Sequence, residues 1–314
     1  MTDKSGHPVR GLKREDFTIL DNRQPRAIAA FQAVEGVAAE PDPPVEVILV
    51  VDEINTPFAR VAFERNEIEK YLRRNGGVLE RPVSIAFFTD AGLDVGNPPS
   101  RDGSAVIADL NRGPAGLRVL GRSLGLAAAA DHLEASLRAL DTLAGFEAAR
   151  PGRKLVIWIS PGWAYASGSG AILTSPARQK LFDAHAALSD GLRQAHIALY
   201  NVDPFGTSDA GSAQTDYSEF ARPLRKPGQA EIGYMALQAL ASSTGGRVLN
   251  SYNDLAGEIA TCVADLDAFY VLSFDGTAAA GANEYHAIEV RTGKRGLAVH
   301  TLSGYYAQRE QTEL

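Results

Sequence analysis

The chain has 314 residues, enough for two domains or for one large domain with an appendage at roughly 150 residues each. Hydrophobic residues make up 45% and charged residues 22%, which excludes wholesale disorder, and a net charge of −7 argues against nucleic-acid binding through an overall positive field, leaving only a local basic patch. No apolar run approaches the ~18 residues of a membrane span. A single cysteine, Cys262, excludes an internal disulfide and any cysteine-based zinc cluster.

In chain order, Asp16–Leu20 and Ala27–Phe31 flank a turn-like Asp21–Pro25 and read as a hairpin. Residues 37–44, with Pro41, Pro43 and Pro44, read as a link into an α/β body. There, short apolar runs have the character of parallel strands buried on both faces: Val45–Val51, Val83–Phe88, Leu155–Ile159, Ile197–Val202 and a short Arg247–Leu249. Helical periodicity separates them. Phe58, Val61, Ala62, Ile68 and Leu72 share one face of 57–74. Leu126, Ala130, Leu133, Leu137, Leu140 and Ala144 step by threes and fours, and Leu181, Leu188, Leu192 and Ala195 mark a third helix. Ile232–Ser243 and Asp254–Leu266 supply two more. This alternation predicts a doubly wound α/β fold with a mostly parallel, Rossmann-like sheet. Thr56-Pro57 and Ser175-Pro176 read as N-caps followed by proline, and Gly245-Gly246 as a helix stop.

The last part returns to strands: Phe269–Phe274, Tyr285–Arg291 and Leu297–Tyr305. Ile288 and Val290 alternate with Glu289 and Arg291, as in an antiparallel sheet wet on one side. The expected organisation is an N-terminal β segment (1–36), an α/β body (45–267) and a C-terminal antiparallel segment (268–308) that packs with the first into a small β subdomain. The plainer alternative is that both ends extend the main sheet. Two long connections, Ser160–Thr174 and Asp203–Glu231, each follow a buried strand. They should rise at the carboxyl ends of the strands, where open α/β sheets bind ligands.

Several fragments carry a resemblance. Gly11–Phe31 (GLKREDFTILDNRQPRAIAAF), Gly152–Gly162 (GRKLVIWISPG), Tyr200–Gly206 (YNVDPFG), Thr244–Val248 (TGGRV), Asn253–Ala256 (NDLA), Tyr270–Phe274 (YVLSF) and Gly304–Ala307 (GYYA) occur in the order seen in the VWFA-related domain family of Acidobacterial type, and together the sequence resembles that family over nearly its whole length. The resemblance implies a von Willebrand factor A-like α/β domain flanked by β segments. Chains of the family often begin with a secretion signal and an extra strand ahead of the position of Lys4. Met1–His7 is polar and lacks an apolar signal stretch, so the resemblance implies export from a longer precursor.

The von Willebrand A fold often carries a metal-ion-dependent adhesion site with a D-x-S-x-S loop after the first strand, a threonine from a second loop and an aspartate from a third. Hard oxygens of this kind suit Mg²⁺, Mn²⁺ or Ca²⁺. Matched residue by residue, Asp52 takes the first position, Ile54 replaces the middle serine and Thr56 the last, with Asn55 as a substitute oxygen. Ser123 stands in for the threonine, and the third aspartate falls at Ser160 or Pro161. The expected site is degenerate: Asp52, Asn55, Thr56, Ser123 and Ser160 hold a divalent ion weakly or not at all. The structural alternatives are an Asp52 carboxylate bonded to loop amides and a Thr56 that only caps its helix.

Trp163, Tyr165, Asp203 and Phe205 are the candidate rim for a protein partner, since aromatic side chains supply large contact area. Asp203-Pro204 also reads as a turn start, and Trp163 as a cover for the sheet edge. His185 and Cys262 sit in step with apolar helix positions and read as core. His132 has no partner one turn on, and Arg222–Lys226 reads as a solvated loop. No nucleophile elbow, phosphate loop or dinucleotide fingerprint is present. The leading expectation is a non-enzymatic adhesion or assembly module with a protein partner. The alternatives are a hydrolase or small-molecule site using Asp52 and Asp90, and a purely structural module of a cell-surface assembly.

Overall fold

The chain opens with β1 (Phe17–Asp21), β2 (Gln24–Arg26) and β3 (Ala30–Glu35), then enters the α/β body at β4 (Val45–Asp52). In order follow α1 (Phe58–Leu72), β5 (Val78–Thr89), β6 (Gly92–Val95), β7 (Ser100–Asp102), α2 (Gly103–Arg112), α3 (Leu126–Ala148), β8 (Arg153–Ile159), α4 (Ser175–Gln194), β9 (Ile197–Val202), α5 (Leu237–Ser243), β10 (Val248–Leu249) and α6 (Leu255–Ala264). The chain closes with β11 (Ala268–Ser273), β12 (Glu284–Thr292) and β13 (Gly304–Ala307). The computed structural model describes residues 1–35, 44–113, 126–163, 173–205, 217–250, 254–276 and 281–308.

The central sheet runs in the order β10-β9-β8-β4-β5-β6, with β7 also on β5. Its first five strands are parallel, and β6 and β7 pair antiparallel with β5. From β4 the chain steps to β5 on one side and later to β8 on the other, so the strand order reverses between β4 and β8. In open α/β sheets this switch point is where ligands bind.

Strand alternation sorts the core into two layers. Val47, Leu49 and Val51 of β4, with Leu155, Ile157 and Ile159 of β8, pack against Ile68 and Leu72 of α1, Leu110 of α2 and Ile259 of α6. Ile48 and Val50, with Val156 and Trp158, pack against Leu140 of α3, Leu192 of α4 and Leu240 of α5. Helices therefore cover both faces, and the fold is a doubly wound α/β sheet. One buried cation pins the switch point from below: Lys154 Nζ donates to the carbonyls of Glu147 (2.9 Å) and Arg150 at the end of α3, where a positive charge also suits the helix dipole. Arg150 in turn bridges Glu46 of β4 and Glu147.

The termini form two further sheets. One has the order β13-β12-β1-β2, and the other pairs β11 with β3. Asn22 (φ 49°) and Arg23 (φ 69°) supply the two positive φ angles of a two-residue hairpin turn, so the turn is tighter than Asp21–Pro25 and β2 ends at Arg26. The apolar stretch beyond it crosses to β11 instead, with Phe269 opposite Val34. Both of those side chains join the core layer of the main sheet. At β12, His286 Nδ1 lies 2.8 Å from the buried Asp21 carboxylate of β1.

Other boundaries moved for local reasons. Pro57, not Thr56, occupies the N-cap of α1 and gives no side-chain cap bond. Thr174 caps α4 one residue earlier than expected, its Oγ1 accepting from Ala177 N. The stretch 232–243 divides into a 3₁₀ turn at Ile232–Met235 and the helix α5. Of the expected strand Leu297–Tyr305 only Gly304 and Tyr305 are strand, in β13, which continues to Ala307, and α2 was not anticipated although Asp102 caps it through Ser104 N (2.9 Å).

Deleting residues 1–35 would strip β11 of β3 and one edge of β12 of β1, leaving unpaired strand edges. The truncated chain should aggregate in light scattering under conditions where the full chain is monodisperse. A monodisperse truncation with an unchanged circular dichroism spectrum would contradict this.

Candidate functional site at the carboxyl edge of the sheet

Period-two alternation brings a set of polar residues to one face at the switch point. Asp52 ends β4, Trp158 and Ser160 lie at the end of β8, and Asn201 and Asp203 at the end of β9, all continuing the face that packs on α3, α4 and α5. Asp52, Ser160 and Asn201 are fully buried.

The Asp52 carboxylate is closed by protein donors. Oδ1 accepts from the backbone N–H of Ile54 (3.1 Å) and Asn55 (2.9 Å). Asn55 Nδ2 reaches both oxygens, at 3.1 and 2.9 Å. Oδ2 also accepts from the Trp158 indole Nε1 at 2.9 Å, and the Ser160 hydroxyl adds a further bond. A carboxylate has about four lone-pair directions, so none remains for a cation. Burial pushes the Asp52 carboxyl above its ordinary pKa, and bonds from Asn55, Trp158 and Ser160 act in the opposite direction.

The neighbours repeat this pattern. Asn55 Nδ2 extends to Ser136 Oγ of α3 (3.0 Å), which itself donates to the His132 carbonyl. Ser160 Oγ accepts from Gly162 N (3.2 Å), and Asn201 Nδ2 donates to the carbonyls of Trp158 and Ser160. Asp203 Oδ1 accepts from Phe205 N (3.0 Å) in a local turn. Thr56 is buried beside this network. Asn55 Oδ1 and Asn201 Oδ1 are buried acceptors with no hydrogen-bond partner among the described residues.

A resident Mg²⁺, Mn²⁺ or Ca²⁺ does not fit these residues. Such ions need several oxygen ligands and anionic charge, whereas Ile54 is apolar, Trp158 aims an N–H at the carboxylate, and the two open amide oxygens are neutral. Among the described residues no cluster of three His, Cys, Asp or Glu side chains is arranged to hold a metal ion. Ser123 and Tyr165 lie outside the described residues.

The aromatic rim is corrected at two positions. Trp163 is 3% exposed and meets Trp158 edge-on at 5.3 Å between ring centroids. Phe205 is 7% exposed and lies under the Arg60 guanidinium, 5.1 Å from its ring centre. Both cover the sheet edge rather than offer contact area, because a ring just past a buried strand gains more by packing on the core than by facing water. Asp203 is likewise turned inward. Asp90 is exposed on the turn between β5 and β6, whereas Asp52 is sealed.

Sequence reasoning missed Trp158 and Asn201 as members of the site. A tryptophan and an asparagine in otherwise aliphatic strands, on the same strand face as Asp52, were the available signal. Comparison with protein-family models and with curated proteins returns no match.

Removing the carboxylate should be costly. Asp52→Ala leaves at least three buried N–H groups without an acceptor, for a loss of about 3 kcal/mol or more. Trp158→Phe removes one donor and should cost about 1–3 kcal/mol. Urea unfolding measures both, and an Asp52→Ala protein as stable as wild type would contradict the network.

His185 gives a pH test on the same helical layer. Burial pushes its imidazole down to about 4, against a bond to the Tyr234 backbone. The unfolded chain, with a histidine pKa of about 6.5, therefore binds the proton more readily. Stability is full above that value and is lost as pH falls toward the folded one, by up to about 3 kcal/mol. The unfolding free energy of wild type minus that of His185→Phe should decrease over this window, and a flat difference would contradict the assignment.

Proposed function

We propose that this chain is a non-enzymatic interaction module of the von Willebrand factor A-like kind that engages its partner without a metal ion. The observation that carries the reading is the closure of Asp52. The carboxylate at the switch point, where a catalytic or metal-bound group would stand, is buried and saturated by Ile54, Asn55, Trp158 and Ser160. A group in that state cannot take a proton from a substrate or accept a cation without unmaking the network. The separation of sealed Asp52 from exposed Asp90 speaks against their use as a hydrolytic pair.

A second reading, a purely structural module of a larger assembly, is favoured by the same filled crevice. The two differ in whether isolated chain retains a partner. No described helix is long and apolar enough to cross a membrane.

Affinity capture from the native cell tests both. An interaction module should retain the same partner in chelator and in millimolar Mg²⁺. Retention only with Mg²⁺ would contradict metal independence, and no retained partner in either buffer would favour the structural reading.

A further inference from the structure

Away from the carboxyl edge, the terminal strands dock on α4 across a seam built around one ring. Tyr306 of β13 meets Phe182 edge-on at 5.7 Å and His185 at 5.9 Å between ring centroids. Its hydroxyl donates to the Leu224 carbonyl (2.6 Å). Nearby, Asn283 Nδ2 donates to Asp183 Oδ1 of α4 (2.9 Å). A cavity of about 60 Å³ adjoins the seam. It has room for ordered water but is well below the ~150 Å³ that holds benzene.

His185 is 4% exposed, and its Nδ1 has no hydrogen-bond partner among the described residues. The ring bonds to the Tyr234 backbone, so the neutral imidazole carries its proton on the other nitrogen. Among the described residues around the ring, no open carboxylate meets a second proton. On α4, Asp190 lines the cavity but pairs with Arg193, and Asp183 is occupied by Gln179 and Asn283. On the 220–224 segment the charged group is Arg222, which pairs with Glu219. The Tyr234 turn and the terminal strands contribute the phenols of Tyr234, Tyr285, Tyr305 and Tyr306. Burial accordingly pushes the His185 imidazole down to about 4. A second buried histidine, His286, is the opposite case: Asp21 lies 2.8 Å from its Nδ1 and Glu284 4.0 Å from its Nε2. A charged imidazole is therefore met between β12 and β1, and unmet between β13 and α4.

We propose that His185 is an acid-sensitive latch: protonating it releases Tyr306 and undocks the β12–β13 edge from α4 while the central sheet stays folded. Opening lets the imidazolium reach water, and the β1–β12 pairing keeps the released strands attached. The open form, with an ordinary histidine pKa of about 6.5, binds the proton more readily than the closed form at about 4. The open population therefore rises about twentyfold from pH 7 to pH 5. Native-state hydrogen exchange on the full chain, corrected for intrinsic rates, tests this. The amides of β13 should lose about twentyfold in protection over that interval. Their opening should depend less steeply on urea than that of β4 and β8, because it exposes less surface. His185→Phe should remove the pH dependence in β13, and His185→Gln repeats the test should the phenyl ring disturb packing. A β13 urea slope equal to that of β4 and β8 would leave global unfolding alone and overturn the proposal. So would β13 protection that is unchanged between the two pH values, or that falls equally in the His185 variants.

Discussion

A buried carboxylate must be met by donors, and the way Asp52 meets them organises this end of the molecule. Its own loop turns back through Ile54 and Asn55, and β8 reaches across through Trp158. Those bonds tie β4 to β8 at the place where the strand order reverses. Trp158 then becomes the surface on which Trp163 packs, and Asn55 carries the connection to Ser136 on α3. The crevice that an open α/β sheet normally leaves for a ligand is thus occupied by the protein's own side chains. Each bond matters more than it would at the surface, because a buried polar group without a partner bears its full desolvation cost.

The terminal strands extend the same construction. Val34 of β3 and Phe269 of β11 enter the core layer beneath α6, so these segments share a core with the main sheet as well as pairing with each other. On the far side Tyr306 of β13 packs edge-on against Phe182 of α4. Tyr306 also meets the His185 ring edge-on at 5.9 Å between ring centroids, so β13 covers the α4 face that bears the buried imidazole.

Much of the architecture was legible in the residues because burial on both faces leaves uninterrupted apolar strands. VEVILVV and LVIWI are such runs, and the helices between them carry plain three-four periodicity. The strands β6 and β7 and the short helix α2 were not legible, since Gly92–Val95 and Ser100–Asp102 are brief and half-exposed. The turn at Asn22-Arg23 was placed too wide because arginine gives no sign of the positive φ it adopts. At the site, Asp52 was found from its position after β4. What sequence spacing does not convey is which distant side chain supplies the replacement donor. Trp158 lies 106 residues from Asp52, and only strand register brings the two together.

The most direct measurement follows the indole protons. The chain has two tryptophans, so Trp158→Phe assigns both Nε1–H resonances. A proton held by the Asp52 carboxylate in a sealed site should exchange slowly with solvent. Millimolar Mn²⁺ should leave it unbroadened, because no lone pair of that carboxylate is open to the ion. Selective broadening of the Trp158 signal at micromolar Mn²⁺ would contradict the account, as it would place a divalent ion on Asp52.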